Sequence, residues 1–155
     1  LLGVLAESPA ALQAYSNLSG ALQHNSAFSS AEQQVLFLAI SLENQCHYCM
    51  AAHSAIASNG VLTNDQIKAL RDGVPLDDPK LEALRLFGTC VVARRGLVPE
   101  SDLEAFILAG YTRRHVLDVV AAVALKTLTN YTNHLNETEV DEAFAQFAWS
   151  PSARV

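Results

Sequence analysis

The stretch SAEQQVLFLAISLENQCHYCMAAH, residues 30–53, decides how this chain is read. Its first half carries a nearly continuous apolar run, Val35–Ile40 followed by Leu42, with no strand-like alternation. Ser30 and Gln33 stand three apart ahead of the run, which is a capping-box spacing. This predicts a helix through Val35–Leu42, apolar all round and so buried on several sides. The second half predicts another helix, starting around Gln45 or Cys46. That helix stops near Asn59-Gly60, where glycine can close a helix in the left-handed conformation.

Outward from this segment the texture stays helical. Ser8-Pro9 reads as an N-cap and first turn of a helix to about His24. Thr63 and Gln66 open a short helix that ends at Asp72-Gly73. Asp78-Pro79 starts one to about Arg95-Gly96, Pro99 another that stops at Gly110, and Thr112 a long one over Arg113–Leu135. On the long helix the apolar positions Val116, Val120, Val123, Ala124, Leu128, Tyr131 and Leu135 recur at three or four and predict its buried face. A last amphipathic piece covers Val140–Phe147. Connections are short and no internal repeat is visible. The expectation is an all-α bundle of seven or eight helices, one domain over residues 1–155.

Composition narrows the function classes. Of 155 residues 50% are apolar and 17% charged, against about 25% charged in an average domain. That excludes a disordered chain. Net charge is −6, with no basic stripe for phosphates, which argues against nucleic-acid binding. No apolar run approaches the roughly 20 residues a membrane span needs. Between Ser8 and Asn64 the only charges are Glu32 and Glu43. A stretch so poor in charge belongs to a core or to a face covered by another subunit, and predicts a homo-oligomer. No secretory signal is evident, and three cysteines do not make a disulfide scaffold. The expected compartment is the reducing cytoplasm.

Chemistry concentrates in Cys46-His47-Tyr48-Cys49-Met50-Ala51-Ala52-His53. On a helix Cys46 and Cys49 are i, i+3 and Cys49 and His53 are i, i+4, so three reactive groups line up on one face. A helix N-terminus favours a thiolate, which is the nucleophilic form of cysteine. His53 can take the proton from Cys49. A second cysteine can capture a sulfenic acid on the first as a disulfide. This describes a thiol peroxidase or a dithiol–disulfide oxidoreductase. Structural zinc is an open alternative, with a fourth ligand from His24, His115 or His134. So are two inert buried thiols.

The segment resembles the alkylhydroperoxidase D branch of the carboxymuconolactone decarboxylase superfamily, through C-x-x-C-x-x-x-H behind an apolar helix. Asn130-Tyr131-Thr132-Asn133-His134 resembles a second, weaker motif of peroxidase-related members. The resemblance implies an all-α oligomer, a trimer or a hexamer. It implies that Cys49 attacks the peroxide, Cys46 resolves the intermediate, and His53 belongs to a proton relay. An external dithiol protein or small thiol would return the disulfide to thiols, and no metal or organic cofactor is implied. The family relay also uses a glutamate twelve residues before the first cysteine, where this chain has Gln34. Glutamine can orient His53 but cannot act as a base, so weaker thiolate activation or a different substrate is expected. Glu32 lies two residues from Gln34, about 200° around the helix, and is a poor substitute. Glu43 could approach the thiols from the connecting loop. His47 and His134 are further candidates for lining the site, whereas Cys90 reads as a small buried hydrophobe. The expected substrate is a hydroperoxide, organic at least as readily as hydrogen peroxide. Lactone decarboxylation, and a redox-switched oligomer without turnover, are the competing functions.

Overall fold

Helix α3 (Ser30–Glu43) is the element that the others cover. It packs against α4 (His47–Ser58), α5 (Asn64–Asp72), α6 (Pro79–Ala93) and α8 (Arg113–Leu135). Its residues Val35–Ser41 are all buried, as an uninterrupted apolar run requires. Each such side chain contributes about 1.5–3 kcal/mol by leaving water. Helices α1 (Leu2–Leu5), α2 (Pro9–Asn25) and α7 (Glu100–Leu108) complete the bundle, with a closing 3₁₀ helix at Glu142–Phe147. α2 lies on α8, α7 on α6, and the 3₁₀ helix on α4. The computed structural model describes residues 1–150, and no strand occurs among them.

α3 and α6 approach closely at Gly88, where an added Cβ would lie 2.5 Å from Leu36 Cδ1. Beside this contact Phe87, Phe106 and Tyr111 stack in series, with ring centroids 4.2 and 4.3 Å apart.

Several sequence expectations hold in detail. Ser8 caps α2, Thr63 and Gln66 form a reciprocal box on α5, and Gly73 closes α5 at φ 71°. Thr112 and His115 cap α8, which gives His115 a structural task.

Other expectations are corrected. The box on α3 is formed by Ser29 and Glu32 rather than Ser30 and Gln33, because Glu32 can accept from both the N–H and the hydroxyl of Ser29. α4 begins at His47, with Cys46 as its N-cap. α1 went unread because four residues carry no periodicity, and the last amphipathic piece, Val140–Phe147, is a 3₁₀ helix over Glu142–Phe147.

The largest correction concerns α8. Its buried residues are Val119, Ala122, Leu125, Lys126, Thr129, Asn130 and Asn133. Of the predicted face, Val120 and Tyr131 are half-exposed and Leu135 is 85% exposed. The helix turns a partly polar stripe inward, where Asn133 meets the Cys46 and Cys49 sulfurs.

The charge-poor stretch divides in two. α3 and α4 supply core, while α2 buries only Leu22 and is solvated by its Ser, Asn and Gln side chains.

Candidate active site

The cysteines are presented by a tight helix-to-helix turn. Cys46 N–H bonds to Ser41 carbonyl and Gln45 N–H to Leu42 carbonyl, the paired bonds of a Schellman motif. The left-handed position falls on Gln45, at φ 55°, where a side chain costs about 1–2 kcal/mol. The turn sets Cys46 at the N-cap and Cys49 in the first turn of α4, at the positive end of the helix.

Both thiols are free and buried. Asn133 Nδ2 donates to Cys49 Sγ at 3.3 Å and reaches Cys46 Sγ at 3.8 Å. Thr129 Oγ1 lies 4.0 Å from Cys49 Sγ. Asn44 Nδ2 donates to Asn130 Oδ1 at 2.9 Å and fixes that amide, whose own Nδ2 has no hydrogen-bond partner among the described residues. The two thiols are therefore unequal. The Cys46 S–H donates to Cys49 and holds its pKa down, with Lys126, Asn130 and Thr129 adding to this against the opposing effect of burial. The same hydrogen bond, burial and the Cys49 charge push Cys46 up. Of the pair, Cys49 is the more acidic thiol and Cys46 the less acidic.

His53 lies one turn beyond Cys49 on α4 and has both ring nitrogens engaged. Nδ1 is 2.9 Å from Gln34 Oε1 and Nε2 is 2.8 Å from Lys126 Nζ. Gln34 presents an acceptor and Lys126 a donor, so Nδ1 carries the hydrogen and Nε2 accepts. Burial, then the Lys126 charge, hold the His53 pKa well below its ordinary value, so the ring is neutral. The direct transfer from Cys49 to His53 that the i, i+4 spacing implies finds no free nitrogen in this arrangement. Phe37 covers the group, its ring 5.1 Å from His53 and 5.7 Å from the Lys126 ammonium.

Cys49, His53, Lys126 and Thr129 line a cavity of about 450 Å³ that is otherwise largely apolar, with Leu2, Phe37, Ile56, Leu125 and Phe144. Tyr48 and Asp141 close one side, joined by a 2.6 Å hydrogen bond from the phenol. Burial and Asp141 push the phenol pKa up, so Tyr48 stays protonated. Gln34 reaches His53 from a neighbouring cavity.

Sequence-predicted residues are distributed as follows. Cys49 and His53 share the main cavity and Gln34 touches His53. Cys46, His47 and His134 line a second cavity, of about 480 Å³, with Asn133 and Thr138. His47 is exposed and meets the Trp149 carbonyl at 3.1 Å, while His134 is exposed and stacks on Tyr131. Glu43 lines neither cavity of the thiols. It sits with Arg71 and Arg85 in a third. Glu32 is occupied by its cap and by Lys80. Cys90 is half-buried rather than enclosed, and burial and Asp102 raise its thiol pKa. Among the described residues no three His, Cys, Asp or Glu side chains are grouped to hold a metal ion.

Sequence reasoning missed Lys126 and Thr129 of α8, and it singled out Asn130 and Asn133 only as part of a motif, without a contact to the thiols. Lys126, Thr129, Asn130 and Asn133 are spaced i, i+3, i+4 and i+7, one polar stripe on a helix otherwise rich in Val, Ala and Leu. Lys126 is 2% exposed, and so buried a lysine is rare outside a pairing or a site. A polar stripe at helical spacing, interrupting apolar neighbours, was the available signal.

Comparison with known proteins agrees with the fold. The carboxymuconolactone decarboxylase family profile matches residues 9–87. No curated protein matches significantly. Among solved structures, an uncharacterized peroxidase-related protein from Ralstonia eutropha JMP134, described as an alkylhydroperoxidase AhpD core, superposes with TM-score 0.75 at 25% identity. The match covers 95% of this chain and 80% of that one. An uncharacterized peroxidase-related protein from Silicibacter sp. TM1040 superposes with TM-score 0.76 at 20% identity, over 86% of this chain and 71% of that one. On the profile match, the helical architecture and the C-x-x-C-x-x-x-H segment, the chain belongs to the carboxymuconolactone decarboxylase family, in its alkylhydroperoxidase D-like branch.

Proposed function

We propose that this protein is a thiol peroxidase that reduces organic hydroperoxides through Cys49 and Cys46. The observation that carries the reading is the inequality of the two buried thiols. Cys49 has three polar side chains of α8 and the Lys126 cation beside it, and Cys46 is held as the neutral thiol next to it. That is what a peroxide-attacking cysteine and its resolving partner require. The Cys49 thiolate attacks the distal oxygen, the O–O bond breaks, and an alcohol leaves. The resulting sulfenic acid condenses with the Cys46 thiol, releasing water and forming the disulfide. A dithiol protein or small thiol restores both thiols, as the reducing cytoplasm allows.

The apolar lining of the cavity favours an organic hydroperoxide over hydrogen peroxide. His53 and Gln34 position Lys126 and take no proton from Cys49 themselves. The protein acts as a homo-oligomer, a trimer or a hexamer, which the exposed apolar side chains Leu117, Val120, Tyr131 and Leu135 of α8 favour.

The test is a thiol count on reduced protein before and after one equivalent of cumene hydroperoxide. Loss of two thiols, abolished in Cys49→Ser, is the expected result. Unchanged thiols would overturn the peroxidase reading and move weight to lactone chemistry on the same scaffold.

A further inference from the structure

We propose that Lys126 is the proton donor to the leaving oxygen of the hydroperoxide, and that His53 and Gln34 are the positioning residues that aim it. The inference rests on the peroxidase reading above and adds the acid which that chemistry needs. A thiolate that splits an O–O bond expels an alkoxide, and in a largely apolar cavity that charge must be met by a proton.

The donors on the cavity wall can be taken in turn, and Tyr15 and Ser19 of α2 bring a single hydroxyl each and no cation. Tyr48 O–H is committed to Asp141 at 2.6 Å. The Cys46 S–H is directed at Cys49 and is consumed in the next step. Thr129 O–H is held by the Leu125 and Lys126 carbonyls at 3.2 and 3.3 Å. His53 spends its one N–H on Gln34. Tyr15 lines the cavity from α2, and Asp141 can only accept. From α3, Phe37 brings no ionisable group to the cavity. Lys126 differs from all of these. Its ammonium has three N–H groups, and among the described residues His53 Nε2 is its one hydrogen-bond partner, at 2.8 Å. It is buried on the wall that Cys49 shares, and two N–H groups remain for a ligand oxygen.

The chain Gln34–His53–Lys126 also gives the Gln34 position a purpose. A glutamate there would favour a charged imidazolium, which would repel Lys126. The neutral amide keeps the ring neutral, so that its free lone pair holds the ammonium.

The step balances. The Cys49 thiolate forms the S–O bond, and the O–O bond breaks with its electron pair on RO. One Lys126 N–H passes to that oxygen, leaving ROH, a sulfenic acid and a neutral amine. Condensation with Cys46 releases water. When an external dithiol reduces the disulfide it delivers two hydrogens, one to each sulfur. The Cys49 proton then returns to the Lys126 amine and restores the thiolate–ammonium pair.

Three reagents separate this role from mere stabilisation of the thiolate. Iodoacetamide expels iodide and peracetic acid expels acetate, neither of which needs a proton. Cumene hydroperoxide expels an alkoxide that does. Rates for Cys49 are measured at a pH where alkylation by iodoacetamide has reached its plateau. The expected result for Lys126→Met is a fall of about 100-fold or more with cumene hydroperoxide, with iodoacetamide and peracetic acid within a few-fold of the native protein. Lys126→Arg keeps the cation but holds its protons too tightly to release them. It should lower the alkylation plateau pH relative to Lys126→Met yet leave the cumene hydroperoxide rate depressed, and it serves alone if Lys126→Met fails to fold. Equal losses with all three reagents, or no loss with cumene hydroperoxide, would overturn the proposal. Native protein that is alkylated but oxidised by neither peroxide would instead overturn the peroxidase reading itself.

Discussion

The aromatic stack of Phe87, Phe106 and Tyr111 and the thiol site between α4 and α8 are both buried, but they are built from opposite materials. The stack is apolar, and its one polar group, the Tyr111 hydroxyl, donates to the Lys80 carbonyl at 3.3 Å. The thiol site buries an ammonium, two carboxamides and two thiols beside a half-buried imidazole. Of the four buried polar atoms without a partner among the described residues, Asn130 Nδ2, Asn133 Oδ1 and Thr138 Oγ1 lie on residues around the cysteines. Each such orphan costs about 1–3 kcal/mol. The stack therefore stabilises the fold, while the thiol site gives up stability to keep polar groups around the two sulfurs, which the proposed peroxidase chemistry needs.

Substitutions can break or sharpen that contrast. Phe106→Ala removes the centre of the stack and should cost about 3–5 kcal/mol in urea unfolding, with Cys49 alkylation unchanged in the folded fraction. A loss of thiol reactivity out of proportion to unfolding would mean that the two regions are coupled. Asn133→Leu should do the reverse. It removes the amide that donates to Cys49 at 3.3 Å, a hydrogen bond to a charged group worth about 1.5–3 kcal/mol. The thiolate loses that support, so the depressed Cys49 pKa rises by about one to two pH units toward the ordinary value near 8.5. Alkylation by iodoacetamide should then slow below that pH and converge with the native rate above it. Global stability near neutral pH should change little, since the lost hydrogen bond to Cys49 is offset by removal of the Asn133 Oδ1 orphan, about 1–3 kcal/mol on each side.

Gly88→Ala places a methyl 2.5 Å from Leu36 Cδ1, which is buried and must shift, and should destabilise by about 1–3 kcal/mol without moving the alkylation profile. The smallest effect is expected at the turn that presents the cysteines. Gln45→Gly should relieve the left-handed strain at φ 55° and raise stability by about 1 kcal/mol, read as a shift in unfolding midpoint.

The same contrast explains what the sequence could tell. The apolar run Val35–Ile40 has no helical face to spare, so a central buried helix follows from residue types alone, and Cys46-x-x-Cys49-x-x-x-His53 identifies itself by spacing. α8 was misread because hydrophobic periodicity assumes that the apolar side faces inward. Here Leu135 and Val120 face out and Lys126, Asn130 and Asn133 face in, a choice dictated by the thiols on another helix. Ser29 and Ser30 both fit a capping box, and the stronger acceptor, Glu32 over Gln33, selects the former. Gln34 was legible as a partner of His53, yet not as one end of a chain to Lys126, because that contact joins residues 73 apart.

The most direct test of the account is made on the Cys46→Ser variant, which can form the intermediate but cannot resolve it. One equivalent of cumene hydroperoxide followed by dimedone should add one dimedone to the intact mass, located on Cys49. An unmodified Cys49 there, or a dimedone adduct on Cys46 in the Cys49→Ser variant, would contradict the assignment of Cys49 as the attacking thiolate.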